Sequence, residues 1–174
     1  RSGKPYSWGY RNDANGDGYT NDLFYVPSGR GDVIFTGGAA MEQAFFDWLE
    51  QNPDLSRYGG KVVPRNSGTS KWVNNFDVRI SQELPGFFKG HKSELWLDII
   101  NIGNLIDKDW GEVYEVGFPL NRGVAQFQGI DAATGKYRYN FDPNLVTAEG
   151  LYDNQDQTKG VSRWQLQLGF RYKF

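Results

Sequence analysis

Arg163-Trp164-Gln165-Leu166-Gln167-Leu168-Gly169-Phe170-Arg171-Tyr172-Lys173-Phe174 alternates polar and apolar residues without a break. Strand side chains point to opposite faces with a period of two. Trp164, Leu166, Leu168, Phe170, Tyr172 and Phe174 therefore share one face, and Arg163, Gln165, Gln167, Gly169, Arg171 and Lys173 share the other. A strand that crosses a bilayer needs about 9–11 residues, apolar toward lipid, polar toward the lumen and aromatic near the interfaces. This stretch meets all three requirements. An edge strand of a soluble β-domain shares the alternation, but seldom runs this long or carries aromatics to its last residue.

Upstream, the same period recurs. Over Lys92 to Asn101, Leu95, Leu97 and Ile99 face one way and Glu94, Trp96 and Asp98 the other. Over Trp72 to Leu84, Phe76, Val78, Ile80 and Leu84 alternate with Asp77, Arg79, Ser81 and Glu83. Pro85-Gly86-Phe87-Phe88-Lys89-Gly90-His91 joins these two with turn-forming residues. A first strand is expected over Gly3 to Tyr10, with Tyr6, Trp8 and Tyr10 on one face. Long polar connections fill about 11–70 and 102–160. Transmembrane barrels have short periplasmic turns and longer extracellular loops. With Phe174 on the periplasmic side, the three connections run long, short, long in the order that rule requires. The lipid-facing set is then Phe76, Val78, Ile80, Leu95, Leu97, Ile99 and Leu166, continuing into Leu168 and Phe170.

Composition agrees. The 174 residues are 16% aromatic and include 22 Gly, which suits β-structure with many turns and an aromatic girdle. Net charge is -2, which argues against nucleic acid as a partner. No Cys is present, which removes thiolate metal sites and Cys nucleophiles. Mean hydropathy is -0.63, and no run approaches the ~18 apolar residues of a transmembrane helix. That leaves barrels open, because barrel strands dilute their lipid face by alternation. No apolar core of a signal peptide follows Arg1-Ser2-Gly3-Lys4. The chain opens in material already patterned as structured, so a fragment or a processed piece is expected.

The first long connection carries a helix pattern over Ala39 to Asn52, with Met41, Phe45, Trp48 and Leu49 on one stripe and Pro53 at its end. Such a helix packs its stripe on neighbouring loops. Asp13-Ala14-Asn15-Gly16-Asp17-Gly18-Tyr19 places oxygen side chains at alternate positions around glycine, like the opening of an EF-hand-type calcium loop. Asp13, Asn15, Asp17 and the Tyr19 carbonyl would make half a shell. Phe24 stands where the bidentate Glu usually sits, and Asn21 or Asp22 would have to substitute. The bland counterpart is an Asx-rich surface turn. Asp131, Asp142, Asp153 and Asp156 form no recognisable spacing and read as solvated. His91 is the only histidine, so neither a His-dependent triad nor a multi-His metal site is available, and no enzyme is expected. Trp48, Tyr58, Trp72, Trp110, Tyr114, Phe118 and Tyr152 offer rings for a sugar or peptide, but such rings more often pack loops or form the girdle.

Several stretches resemble the C-terminal end of TonB-dependent outer-membrane receptors, nearest the Oar-like branch. They are Gly3-Lys4-Pro5-Tyr6-Ser7-Trp8 with Asp13 to Gly18 and Asn21 to Pro27, Leu84 to Lys92, and Asp98 to Gly111. The terminal strand resembles the assembly signal of outer-membrane proteins, with Leu168, Phe170, Tyr172 and Phe174 at the matching positions. The tail specifies only the compartment, the bacterial outer membrane; the middle stretches are closer to the branch. The resemblance implies an all-β fold: antiparallel strands forming the C-terminal part of a transmembrane β-barrel across residues 1–174, with long extracellular loops and one short loop helix. It also implies partners, namely the remainder of the barrel and its plug, outer-membrane lipid, and TonB through that plug. About four strands cannot close, since the smallest membrane barrels need about eight. The role expected is barrel wall and extracellular loops of a receptor or transporter for an unknown ligand. The competing expectation is a soluble calcium-stabilised β-domain that binds carbohydrate or protein, and a hydrolase on a β-scaffold stands third.

Overall fold

A computed structural model describes residues 2–114, 116–146 and 162–174. Tyr152, Asp153 and Asp156, and the rest of 147–161, lie outside the described residues. In chain order the elements are β1 (Pro5–Gly9), β2 (Tyr25–Val26), β3 (Ile34–Phe35), α1 (Gly38–Glu50), α2 (Pro53–Ser56), β4 (Lys61–Val62), β5 (Gly68–Thr69), β6 (Val78–Pro85) and β7 (Lys92–Ile100). They continue with α3 (Ile102–Ile106), β8 (Asn121–Gly123), β9 (Gln126–Ile130), β10 (Tyr137–Asn140) and β11 (Gln165–Lys173). Strands predominate, helices are few, and no barrel closes among the described residues.

The chain divides into two compact units. Of the described residues, the sheet unit takes 2, 71–114 and 162–174, and the core unit takes 3–70 and 116–146.

The sheet unit is built on one antiparallel sheet in the order β11-β7-β6. Leu166 pairs with Ile99, Leu168 with Leu97 and Phe170 with Leu95. On the other side Val78 pairs with Ile99 and Ile80 with Leu97. The alternating pattern makes this register sharp, because a one-residue slip would turn every apolar side chain to the wet face. The strand expected over 72–84 begins only at Val78, so Trp72 to Asp77 approach it as irregular chain.

The core unit assembles three small sheets, β5-β1-β8, β3-β10-β9 and β2-β4, around a shared apolar centre. The strand expected over Gly3 to Tyr10 forms as β1, and its Tyr6, Trp8 and Tyr10 are 2%, 1% and 6% exposed. β1 pairs antiparallel with β5 and parallel with β8 rather than joining β6. Period two announces a face but does not say what covers it. The cover comes from the regions read as long connections. Phe24, Val26, Phe35, Phe45, Leu55, Val63, Tyr139 and Phe141 are all buried with it.

α1 realises the expected helix, with Phe45 and Leu49 buried and Met41 and Trp48 packed against the same centre. Phe45 holds five rings around it, those of Phe24, Phe35, Phe46, Trp48 and Phe141, with centroids 5.0–6.2 Å away. Pro53 does not end that helix alone; it opens the next short one, where its missing N–H costs nothing. Glu42 lies in the second turn of α1, where its carboxylate accepts the Gly31 N–H at 2.7 Å.

Hydroxyls close the core where its polar groups meet. The Tyr25 N–H donates to the Tyr10 hydroxyl at 3.4 Å, and the Tyr139 hydroxyl donates to the Tyr25 carbonyl at 2.9 Å. That commits the Tyr139 proton, so in the 2.9 Å contact between the two hydroxyls Tyr10 is the donor. Both backbone groups of Tyr25 are thereby satisfied inside the core.

Candidate functional site

Two arrangements carry the functional argument, one in each unit. The first is the two-faced sheet. On one face, successive rows read Val78–Ile99–Leu166, Ile80–Leu97–Leu168 and Gln82–Leu95–Phe170. Ile80, Leu166, Leu168 and Phe170 each keep 58–68% of their surface exposed. Phe76 and Trp164 stand one pair of positions beyond the first row and are also exposed. At the opposite end are Phe87, Phe88 and Phe174, with exposures of 85%, 70% and 98%. An aliphatic band is thus bounded by aromatic residues at both ends.

The other face is polar and tightly organised. Arg79 makes a bidentate pair with Asp98 at 2.5 and 2.7 Å, and Arg171 lies 3.5 Å from Glu94. Both guanidinium groups approach the Trp96 ring, at 6.0 and 5.5 Å from its centroid. The indole lies over Gly169, where an added β-carbon would sit 2.1 Å from it. The sequence placed Glu94, Trp96 and Asp98 on this face but missed the network. The available signal was a glycine on the wet face of an otherwise long-side-chain strand, which marks close approach by a neighbour.

Local structure fixes both ends of the sheet. At the Pro85–His91 turn, the Tyr172 hydroxyl accepts the Phe87 N–H at 3.1 Å and meets His91 Nδ1 at 2.9 Å, with the Phe87 ring stacked on Tyr172. Tyr172 therefore ties the terminal strand to the turn, while Leu168, Phe170 and Phe174 stay exposed. At the other end Asn101 is fully buried with φ 53. Its N–H donates to Asp77 at 2.8 Å and its amide to the Gly111 carbonyl at 3.2 Å. Asn104 donates to the carbonyls of Lys108 and Trp110. This knot presents Trp110 beside Trp72 and Phe76 along a cleft of about 450 Å³ that also includes Lys71, Glu112 and Tyr114. Lys71 lies over the Tyr114 ring, whose hydroxyl donates to Glu112.

The second arrangement is the acidic loop of the core unit. Asp13 accepts the N–H groups of Gly16 and Gly18, both at 2.7 Å. Asn15 accepts from the Asp17 N–H and Asp17 from the Tyr19 N–H, both at 2.8 Å. Asp22 accepts the Ala14 N–H at 2.8 Å. The Asn15 amide nitrogen donates to both Asp22 and Asp17, at 2.7 and 3.3 Å. The five residues expected to hold calcium thus lie on one turn, but an amide donor stands between two of the carboxylates. Among the described residues no group of three or more His, Cys, Asp or Glu is arranged to hold a metal ion. Phe24, in the place of the usual Glu, is fully buried in the core. The Gly18 N–H, more than any other donor, holds the Asp13 carboxyl below the usual carboxylate range. The Ser28 N–H does the same for Asp32. Burial pushes the Tyr10, Tyr25 and Tyr139 hydroxyls up.

Beside this loop opens a cleft of about 640 Å³, lined on its polar side by Asn15, Asp17, Asn21, Asp22 and Arg65 and on its apolar side by Val62, Phe127, Ile130, Tyr25 and Tyr137. Apart from the loop residues, its lining escaped the sequence reading, because it is gathered from three separate stretches of chain.

Comparison with protein-family models, with curated proteins and with solved structures finds no match for this chain.

Proposed function

We propose that the sheet unit is a piece of the wall of a transmembrane β-barrel in the bacterial outer membrane, and that the chain belongs to a TonB-dependent receptor or transporter as barrel wall and extracellular loops. The carrying observation is the division of the sheet into an exposed aliphatic face and a hydrogen-bonded polar face, with aromatics at both ends. Ten residue steps separate Trp164 from Phe174. At ~3.3 Å per residue they span about 33 Å along the strand, or about 23 Å across a bilayer at ~45° tilt. The apolar band of such barrels is ~25 Å tall. Arg79, Asp98, Glu94 and Arg171 then face the lumen. Among the described residues, β6 and β11 each have one unpaired edge in this sheet, and lipid tolerates no open edge. The reading therefore requires further strands at both edges, and a plug through which TonB acts.

No chemistry is assigned to the chain. The role is passage or capture of a ligand, with the core unit as the part that meets it. Calcium enters as a stiffener of the 13–22 loop. It would draw on Asp13, Asn15, Asp17, Asp22 and the Tyr19 carbonyl, and it would have to displace the Asn15 amide nitrogen.

The compact core of 3–70 and 116–146 favours a second reading, a soluble calcium-stabilised β-domain that binds carbohydrate or protein. Cell fractionation with a heat-modifiability gel separates the two. Recovery in the outer membrane, with a folded band larger than the chain, supports the wall. Recovery as a detergent-indifferent soluble monomer overturns it.

A further inference from the structure

We infer that the 640 Å³ cleft of the core unit is a carbohydrate-binding site, with the polar rim reading hydroxyls and the aromatic floor taking the C–H face of a sugar ring. The inference rests on the composition of the cleft and on which of its groups are already committed.

The floor is rigid. Tyr137 meets Tyr25 and Phe127 edge-on, with centroids 5.5 Å away in both cases and interplanar angles of 86°. Phe127 in turn packs on Tyr10 at 5.5 Å, and Tyr10 belongs to the buried hydroxyl chain described above. The floor rings are therefore anchored in the core and lose little freedom when a ligand arrives. Ile130 and Val62 extend the apolar surface and are 60% and 55% exposed.

The rim is mixed. Most of the loop's polar groups hold one another, and the Tyr25 hydroxyl donates to Asp32 at 2.9 Å. Among the described residues, the Arg65 guanidinium, the Asn21 side chain and the Tyr137 hydroxyl have no hydrogen-bond partner. Asp17 and Asp22 retain unused lone pairs, since a carboxylate has about four acceptor sites. The cleft thus offers free donors and free acceptors together above an apolar floor.

That combination selects a ligand class. An anion meets the carboxylates of Asp17 and Asp22. A cation meets Arg65. A wholly apolar molecule would leave Arg65 and Asn21 desolvated without partners, which is costly. A neutral polyol with one apolar face satisfies every group, because each hydroxyl both donates and accepts. The pyranose ring is such a molecule. The inference concerns what the core unit binds. It holds whether or not the sheet lies in a membrane, so a failed fractionation leaves it standing and a failed sugar experiment leaves the wall reading standing.

The test is saturation-transfer NMR on the whole chain, with methyl glycosides of glucose, galactose, mannose and xylose as probes. Transfer is expected to at least one probe, strongest at ring C–H protons. Arg65→Ala and Asn21→Ala alter exposed side chains, so the fold should survive them. Each is expected to weaken binding about tenfold, the loss of one hydrogen bond to a charged or desolvated partner. Tyr137→Ala is expected to abolish transfer, and Tyr137→Phe to keep the ring contact with reduced affinity. The inference is overturned by absence of transfer to all four probes, or by transfer that Arg65→Ala and Asn21→Ala leave unchanged. It is also overturned if N-acetyl-leucinamide competes as well as the sugars, which would make the cleft a peptide site.

Discussion

Trp96 and Gly169 are partners across the β7–β11 ladder, and the indole occupies the space that a side chain at 169 would need. Because Arg79 and Arg171 both lie against the ring, it has little room to step aside. Gly169→Ala is therefore expected to destabilise the sheet by about 1–3 kcal/mol, the usual cost of overpacking. Denaturant titration read by amide exchange at β7 and β11 measures it. Wild-type protection in the variant would mean that the ring moves freely.

The two faces of β11 make opposite predictions for adjacent residues. In a barrel wall, Leu168→Arg places a charge toward lipid and costs about 2–4 kcal/mol near the midplane. Gln167→Arg points to the lumen and is expected to leave membrane assembly intact. Yield of the heat-modifiable form in the outer-membrane fraction compares them. Equal yields would remove the lipid assignment.

Tyr139→Phe breaks the hydroxyl chain of the core unit. It leaves the Tyr10 hydroxyl and the Tyr25 carbonyl without their buried partner, at about 1–3 kcal/mol. Burial raises the pKa of Tyr10, Tyr25 and Tyr139. Their contribution is thus complete below the unfolded value near 10 and is lost as pH climbs beyond it. The unfolding temperature is expected to fall above about pH 10 in the wild type, and less steeply in Tyr139→Phe. Parallel profiles would count against the hydroxyl chain.

Acid acts on the same unit through its carboxylates. The Asp13 and Asp32 carboxyls are held below the ordinary value chiefly by backbone N–H donors. The stability they supply is present above the unfolded value near 3.9 and disappears as pH falls through the lower folded value. The Gly16 and Gly18 amide resonances should stay still through the ordinary carboxylate range and move only below it. Movement centred near pH 4 would show Asp13 to be a free surface carboxyl.

How far the sequence reached depended on what kind of burial each residue has. β7 and β11 lie close to the stretches their alternation predicted, because pattern and pairing there say the same thing. Phe76 and Asp77 continue the alternation of the strand that follows yet stay outside β6, so pattern alone did not set the start of that strand. Tyr6, Trp8 and Tyr10 show the deeper limit. Their period matches a barrel strand, but they are covered by Phe24, Phe45 and Tyr139, which are distant in sequence. The acidic loop was legible as a loop because Asp and Asn bond their own backbone locally. The floor beside it was not, since Tyr25, Phe127 and Tyr137 become neighbours only once the strands pair.

The two units are interleaved along the chain: each takes its described residues from more than one stretch, with boundaries near 2, 70 and 114 and a last one between 146 and 162. No single cut between 3 and 146 releases one of them whole. A gene truncated anywhere within that range would encode an incomplete version of both, and a single-segment exchange between related genes cannot transplant either one complete without carrying part of the other. Whatever each unit does, a single crossover within that range exchanges part of both.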